Sequence, residues 1–372
     1  MADGLAALAG ALTLRPGVAR PANLASSRPD WAATLLPGKP ATALPPLLAS
    51  LFSTCGEAHR LCAGWAVAAA RGDDGPVPAA ALHRLQMETL REHLRRMALD
   101  WPRHLARGAA AQALQQDAVR SLRESPVLPG LPLDAWMAGF AAQQAWIERS
   151  WLGLPAEAWL QGWERGPRDW LALWSGGASG WLPELLRHCR TAAESIGCGA
   201  PALRVHGSAD ELRRFAAGLH EGRLSPRQPL WRGACAETGP WTRLDEPDPA
   251  VYCTAWLRLG ARLAETVRLV RAGTQRLRAG RIALGPGSGL AWVEMARGLL
   301  LHRVVLDGER VARCDVIAPT EWNFHPRGAV ASALEGLPRS AGGRILALMT
   351  AYDPCVSYRV EPAPHPVEAT HA

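Results

Sequence analysis

"EMARGLLLHRVVLDGERVARCDVIAPTEWNFHPRG", residues 294–328, is the stretch on which the fold turns. Within it "HRVV" and "RVARCDVIAP" flank Asp307-Gly308, a pair that tolerates the positive φ of a tight hairpin, so two antiparallel strands are predicted there. Upstream the pattern is helical. Leu90, Leu94, Met97 and Trp101 recur at spacings that place them on one helical stripe, which Pro102 is expected to end. Ser208 and Glu211 have capping-box spacing ahead of a helix for which Gly222 is a C-terminal stop, and "AWLRLGARLAETVRLVRAG" predicts another helix. The tryptophans crowded between residues 130 and 181, Trp136 to Trp181, are read as the filling of a helical core. The fold class is therefore mainly α (α+β), a helical body with a small antiparallel β element near the C-terminus.

Composition narrows the classes of function. The chain has 372 residues, 48% of them hydrophobic, enough to bury a large core. No run is long and apolar enough to span a bilayer, and the apolar start follows Asp3 rather than a basic segment, so a cytoplasmic location and no membrane role are expected. The net charge of +7 raises a nucleic-acid role. It is set aside because Lys39 is the only lysine among 41 basic residues, and the arginines alternate with Glu and Asp as on solvated helix faces. Eight scattered cysteines without a secretion signal suggest reduced thiols. Residues 1–48, rich in Ala, Leu and Pro, are expected to wrap the surface of a main domain at 49–360, with 361–372 as a flexible tail.

Cys55, His59 and Cys62 in "FSTCGEAHRLCAG" are spaced to share one helix face, where they suit either a soft metal ion or a packed core. The glycine run at 285–289 lacks both the dinucleotide-binding spacing and the lysine of a phosphate loop.

These motifs, taken in order, resemble the large subunit of [NiFe] hydrogenases. "EMARGLLLH" is similar to the family's E-A-P-R-G-x-L-x-H, "APTEWNFHPRG" to P-T-x-W-N-x-x-P-R-D, "FSTCGEAH" to C-G-x-C-x-x-x-H, and "DPC" at 353–355 falls where the family has D-P-C-x-x-C-x-x-H. "ETGPWTR" at 237–243 also resembles a family segment. In that family two pairs of cysteines hold nickel and iron. Here each pair has lost a member, because Phe52 and Tyr358 stand where the terminal nickel ligands would be, and Glu361 replaces the C-terminal histidine. Nickel needs several soft donors, and neither a phenyl ring nor a phenol supplies one.

The resemblance therefore implies metal ligands Cys55 and Cys355, no nickel, and no catalytic residue. It implies Arg297 over the metal's diatomic ligands, with Asp353, His59 and Glu57 around the thiolate-bearing segments, although Glu57 suits a surface or capping role equally. This combination, together with "ETLREHLRRMALDWP" at 88–102, resembles the large-subunit-like accessory proteins of the HupK/HoxV branch. That branch implies a scaffold in hydrogenase maturation that receives a transient Fe(CN)2(CO) fragment. Its implied partners are a small HypC/HupF-type chaperone and the hydrogenase large-subunit precursor. A metal-free chaperone or interaction protein that has kept the fold is the alternative.

Overall fold

The computed structural model describes residues 10–127, 130–271 and 276–361. Its strands are β1 (Ala11–Leu14), β2 (Leu24–Ser26), β3 (Ala279–Gly285), β4 (Ser288–Met295), β5 (Gly298–Asp307), β6 (Arg310–Ile317) and β7 (Ser357–Val360). The predicted hairpin is β5–β6, with Asp307 opposite Arg310 and Gly308 at φ 55°. It is half of a larger sheet, an antiparallel meander in the order β3-β4-β5-β6. The glycine run 285–289 contains the β3–β4 turn, which explains why it lacks phosphate-binding spacing. A side chain at Gly289 would strike Ala70 N at 2.3 Å and Ala66 O at 2.5 Å, so its absence lets β4 lie against the Gly56–Ala70 helix.

The helical body follows the predicted periodicity, with one correction. Leu90, Leu94, Met97 and Trp101 are all buried. The helix Ala79–Arg95 does not stop at Pro102, however. It passes through a wider π-type turn at Arg96–Asp100 into a last helix, Trp101–Leu105, where Pro102 occupies the first turn and its missing N–H is not needed. Ser208 Oγ accepts from Glu211 N at 3.2 Å, and Gly222 takes φ 72° just beyond the helix Ala209–His220. Trp146, Trp151, Trp159, Trp163, Trp174 and Trp181 are buried in one core, Trp159 stacked on Trp163 at 5.6 Å. The side chain of Trp136 lies outside the described residues.

The predicted helix in "AWLRLGARLAETVRLVRAG" spans Ala255–Leu269 and is buried along almost its whole length. Its charged residues are sheltered only because each has a partner: Arg258 with Glu237, and Glu265 with both Arg243 (2.7 Å) and His93 (2.7 Å). An unpaired charge at these positions would cost several kcal/mol, roughly, in desolvation. Residues 10–48 enter the same core through Leu12, Leu14, Leu24, Leu44 and Leu48. In the small sheet β2-β1-β7, β1 pairs antiparallel with β2 and parallel with β7, so the first and last described strands are neighbours. Apart from Glu361, the expected tail lies outside the described residues. Among the described residues no helix is long and apolar enough to cross a membrane.

Candidate functional site

Joining β1 to β7 sets the two ends of the described chain side by side, and the two cysteines of the truncated pairs also meet. Cys55 ends the short turn Ser53–Cys55, its N–H donating to Phe52 O at 3.0 Å, and leads into the Gly56–Ala70 helix. Cys355 follows the Gly342–Tyr352 helix. That helix is closed by Asp353 in a left-handed conformation (φ 49°), which turns the chain sharply before Pro354. Cys55 and Cys355 line one cavity of about 610 Å³, together with Phe52, His59, Arg297 and Thr320. Thr320 Oγ1 is 3.1 Å from Cys355 Sγ. Spacing alone could not bring these thiols together.

Arg297 reaches the cavity from the tip of the β4–β5 hairpin, where Met295 pairs with Gly298 and only Ala296 and Arg297 form the loop. Such a tip is ordinarily a solvent feature, but this one is buried. Its carbonyls are held from beneath by two arginines, Arg243 Nη2 donating to Met295 O (2.8 Å) and Arg262 Nη1 to Ala296 O (2.9 Å). Gly298 has φ 135°, and a side chain there would meet Thr238 Oγ1 at 2.5 Å. The Arg297 guanidinium donates to Glu92 Oε1 (2.6 Å) and to the Asp353 carbonyl (3.0 Å). Its Nη1 is buried without any hydrogen-bond partner. Arg297 lines the cavity, so an unpaired buried donor belongs to one of its wall residues.

The helix Ala79–Arg95 and its π-type turn supply the surrounding charges, which motif reading had marked as a segment but not resolved by residue. Glu88 accepts the N–H groups of Glu57 (2.8 Å) and Ala58 (2.9 Å), capping the helix that begins beside Cys55. One turn on, Glu92 pairs with Arg297, Arg95 and Arg96, and these cations hold its carboxyl below the usual range despite burial. Asp353 is likewise held low against its burial, by Arg297 (3.4 Å), Arg96 (3.3 Å) and Arg262 (3.6 Å). Glu88 has only the distant Arg91, at 4.0 Å, and burial pushes it up to about 7.

The remaining predicted residues separate. His59 lines the cavity, stacked on Phe52 at 4.2 Å, with Nδ1 3.1 Å from His302 Nε2. Burial keeps both imidazoles neutral, His302 at about 3. Cys62 turns away, its thiol donating to Ala291 O on β4 at 3.4 Å. Cys55, His59 and Cys62 therefore do not form a metal site, and no group of three or more potential His, Cys, Asp or Glu ligands occurs among the described residues. The Glu57 carboxylate pairs with Arg60 (2.6 Å) and Arg84 (2.9 Å). Tyr358 sits on β7 opposite Leu12 and lines a second cavity of about 540 Å³ with Arg96, His104 and Asp353, and of the lining residues Cys355 and Val356 are shared between the two.

Burial raises the Cys55 thiol well above its ordinary range, although Arg297 opposes this, while Cys355, Glu88 and Glu92 add to it. Burial thus holds Cys55 protonated, and a soft electrophile must displace that proton to bind. One cavity residue had no sequence signal at all. Arg28, from the N-terminal segment, lies in the same wall, paired with Glu321.

No family model matches the chain. Over 98% of its length it is 41% identical to the hydrogenase expression/formation protein HoxV of Cupriavidus necator, covering 99% of that protein. It is 33% identical to the hydrogenase expression/formation protein HupK of Bradyrhizobium diazoefficiens, with 88% of each chain covered. Among solved structures, a variant of the [NiFeSe] hydrogenase of Desulfovibrio vulgaris Hildenborough aligns with a TM-score of 0.57 at 14% identity, over 91% of this chain and 93% of that one, a likeness of fold. The fold is hydrogenase large-subunit-like, as the motifs implied. By its near full-length identity to these relatives, the chain belongs to the HoxV/HupK family of hydrogenase expression/formation proteins.

Proposed function

We propose that this protein is a non-catalytic scaffold of [NiFe]-hydrogenase maturation, holding an Fe(CN)2(CO) fragment between Cys55 and Cys355 until it passes to the large-subunit precursor. An accessory role in maturation accords with the names of its relatives. The observation that carries the finer reading is the meeting of two thiols from opposite ends of the chain in one cavity, beside a buried guanidinium with an unpartnered N–H.

The chemistry of these groups suits the cargo. Two thiolates are soft donors appropriate to low-spin iron, and Arg297 Nη1 is a fixed donor for the nitrogen of a bound cyanide. Phe52, at the position of a lost ligand, stacks on His59 and offers no donor atom, so the cavity has room for a metal fragment without the thiolates that nickel requires. Two ligands rather than four suit a carrier that must release its load. The delivering partner in this reading is a small HypC/HupF-type chaperone.

Infrared spectroscopy of protein purified anaerobically from cells with an intact maturation system tests the proposal. Carbonyl and cyanide bands are expected in the wild-type protein and absent from Cys55→Ala and Cys355→Ala. A blank wild-type spectrum, with maturation still dependent on the protein, would instead support the metal-free chaperone.

A further inference from the structure

The N-terminal segment contributes to the cavity a residue that no motif marks. Arg28 follows β2, its side chain is 7% exposed, and it lines the same cavity as Cys55, Cys355 and Arg297. It is held from behind. Its Nη1 donates to Glu321 Oε1, and the same oxygen accepts from Arg227 Nη1 at 2.9 Å, while Arg227 Nη2 donates to the Arg28 carbonyl at 2.7 Å. The clamp fixes the position of Arg28, yet it leaves one carboxylate to serve two guanidiniums.

The opposite cluster is unbalanced in the same sense. Arg96, Arg262 and Arg297 face Asp353 and Glu92, three cations against two anions, while the more exposed Arg95 and Asp100 cancel each other. With Arg28 and Arg227 against Glu321, these two ion-pair clusters together carry a surplus of two positive charges. Both thiols interact electrostatically with both Arg28 and Arg297. Buried cations without counter-charges are costly, so the surplus points to a ligand that supplies two negative charges.

We propose that Arg28 is a second ligand-binding cation of this cavity, donating to one cyanide of the bound fragment while Arg297 donates to the other, so that the site selects a dianionic bis-thiolate complex. The inference rests on the scaffold reading above. Its charge balance is explicit: ferrous iron with two cyanides and a carbonyl is neutral, and coordination by two thiols expels two protons to solvent and leaves a complex of charge minus two. That charge matches the surplus. A bare divalent cation on the same two thiolates would be neutral and would leave both guanidiniums uncompensated, so the site discriminates against zinc and simple ferrous iron. Arg28 acts here through a guanidinium whose position is fixed by Glu321 and Arg227, a role that the flexible point charge of a lysine fills only in part.

The test compares wild type, Arg28→Lys and the double variant Arg28→Met/Glu321→Gln, in which the cation and its buried counter-charge are removed together so that no carboxylate is stranded. Each is purified anaerobically from maturation-competent cells. Iron content, infrared bands and thermal unfolding are measured on the same samples. The double variant is expected to retain roughly tenfold to a hundredfold less fragment, the loss of one charge-assisted hydrogen bond. In the residual spectrum, and in Arg28→Lys, one cyanide band is expected to move while the other keeps its position. Unchanged iron content and unmoved cyanide bands in Arg28→Lys and in a folded double variant would overturn the role of Arg28 and leave the scaffold reading standing. A wild-type spectrum without bands would remove the scaffold reading and this inference with it.

Discussion

Replacing Glu88 with alanine asks how firmly the helix behind Cys55 is held. The Glu88 carboxylate accepts the second and third backbone N–H groups of the Gly56–Ala70 helix, from Glu57 and Ala58, at 2.8 and 2.9 Å, within a buried seam where water cannot substitute. Losing a helix N-cap costs about 0.5–2 kcal/mol, and each hydrogen bond to a charged group contributes about 1.5–3 kcal/mol. Because burial holds Glu88 at about 7, part of the population is uncharged near neutrality, and the lower ends apply. The expected loss for Glu88→Ala is about 2–4 kcal/mol in urea unfolding, the range set by those two contributions. The pH dependence is a sharper signature. The folded pKa lies above the ordinary carboxyl value of 4.5, so the contribution is complete below 4.5 and is lost as pH rises toward 7, because the unfolded chain ionises first. That loss is on the order of 3 kcal/mol. Glu88→Gln lacks it, so the stability difference between wild type and Glu88→Gln should shift against the wild type between pH 5 and pH 7. Parallel stability curves for the two proteins, or a Glu88→Ala loss below about 0.5 kcal/mol, would refute the reasoning.

Other perturbations separate the site from the scaffold around it. Cys55→Ala and Cys355→Ala should unfold within about 1–2 kcal/mol of wild type, as small buried or half-buried truncations do, yet abolish hydrogenase maturation in a complementation assay; full activity in both would remove the thiols from the function. Gly298→Ala forces a side chain into φ 135° and against Thr238 Oγ1, and should cost about 1–3 kcal/mol in strain and displace Arg297, measured as a lower Tm and weaker fragment retention. Gly308→Ala, at an open turn with nothing within 4 Å, is the matched comparison and should cost only about 1–2 kcal/mol. Phe52→Cys/Tyr358→Cys returns both missing thiols, but Tyr358 lines the second cavity, so metal analysis should find no stoichiometric nickel after expression with nickel supplied.

Much of the fold was legible because its signals are local. The Asp307-Gly308 turn, the Ser208–Glu211 cap and the stripe from Leu90 to Trp101 depend on backbone geometry within a few residues, and each appears as the spacing predicted. Strands β3 and β4 were not read because their turn is rich in glycine, and the close approach that requires Gly289 involves a helix more than two hundred positions away. The end of a helix at Pro102 was misplaced for a related reason: a π-type turn let the chain continue, its charges Arg96 and Asp100 paired with each other and Arg96 also with Asp353.

The sequence by itself determined which donors exist: a single thiol at each end, an arginine within a large-subunit-like motif, and a phenyl and a phenol where two further ligands would stand. Tertiary structure alone decided which of these meet. Packing sets Cys355 and Cys55 in one cavity, the buried hairpin tip delivers Arg297, and the N-terminal segment adds Arg28, while Tyr358 on β7 is carried to a second cavity beyond Cys355 and Cys62 is turned onto β4. The physical reason is that ligand identity is a property of single side chains, whereas a cavity and its charge balance arise from desolvation and packing among segments that share no local spacing.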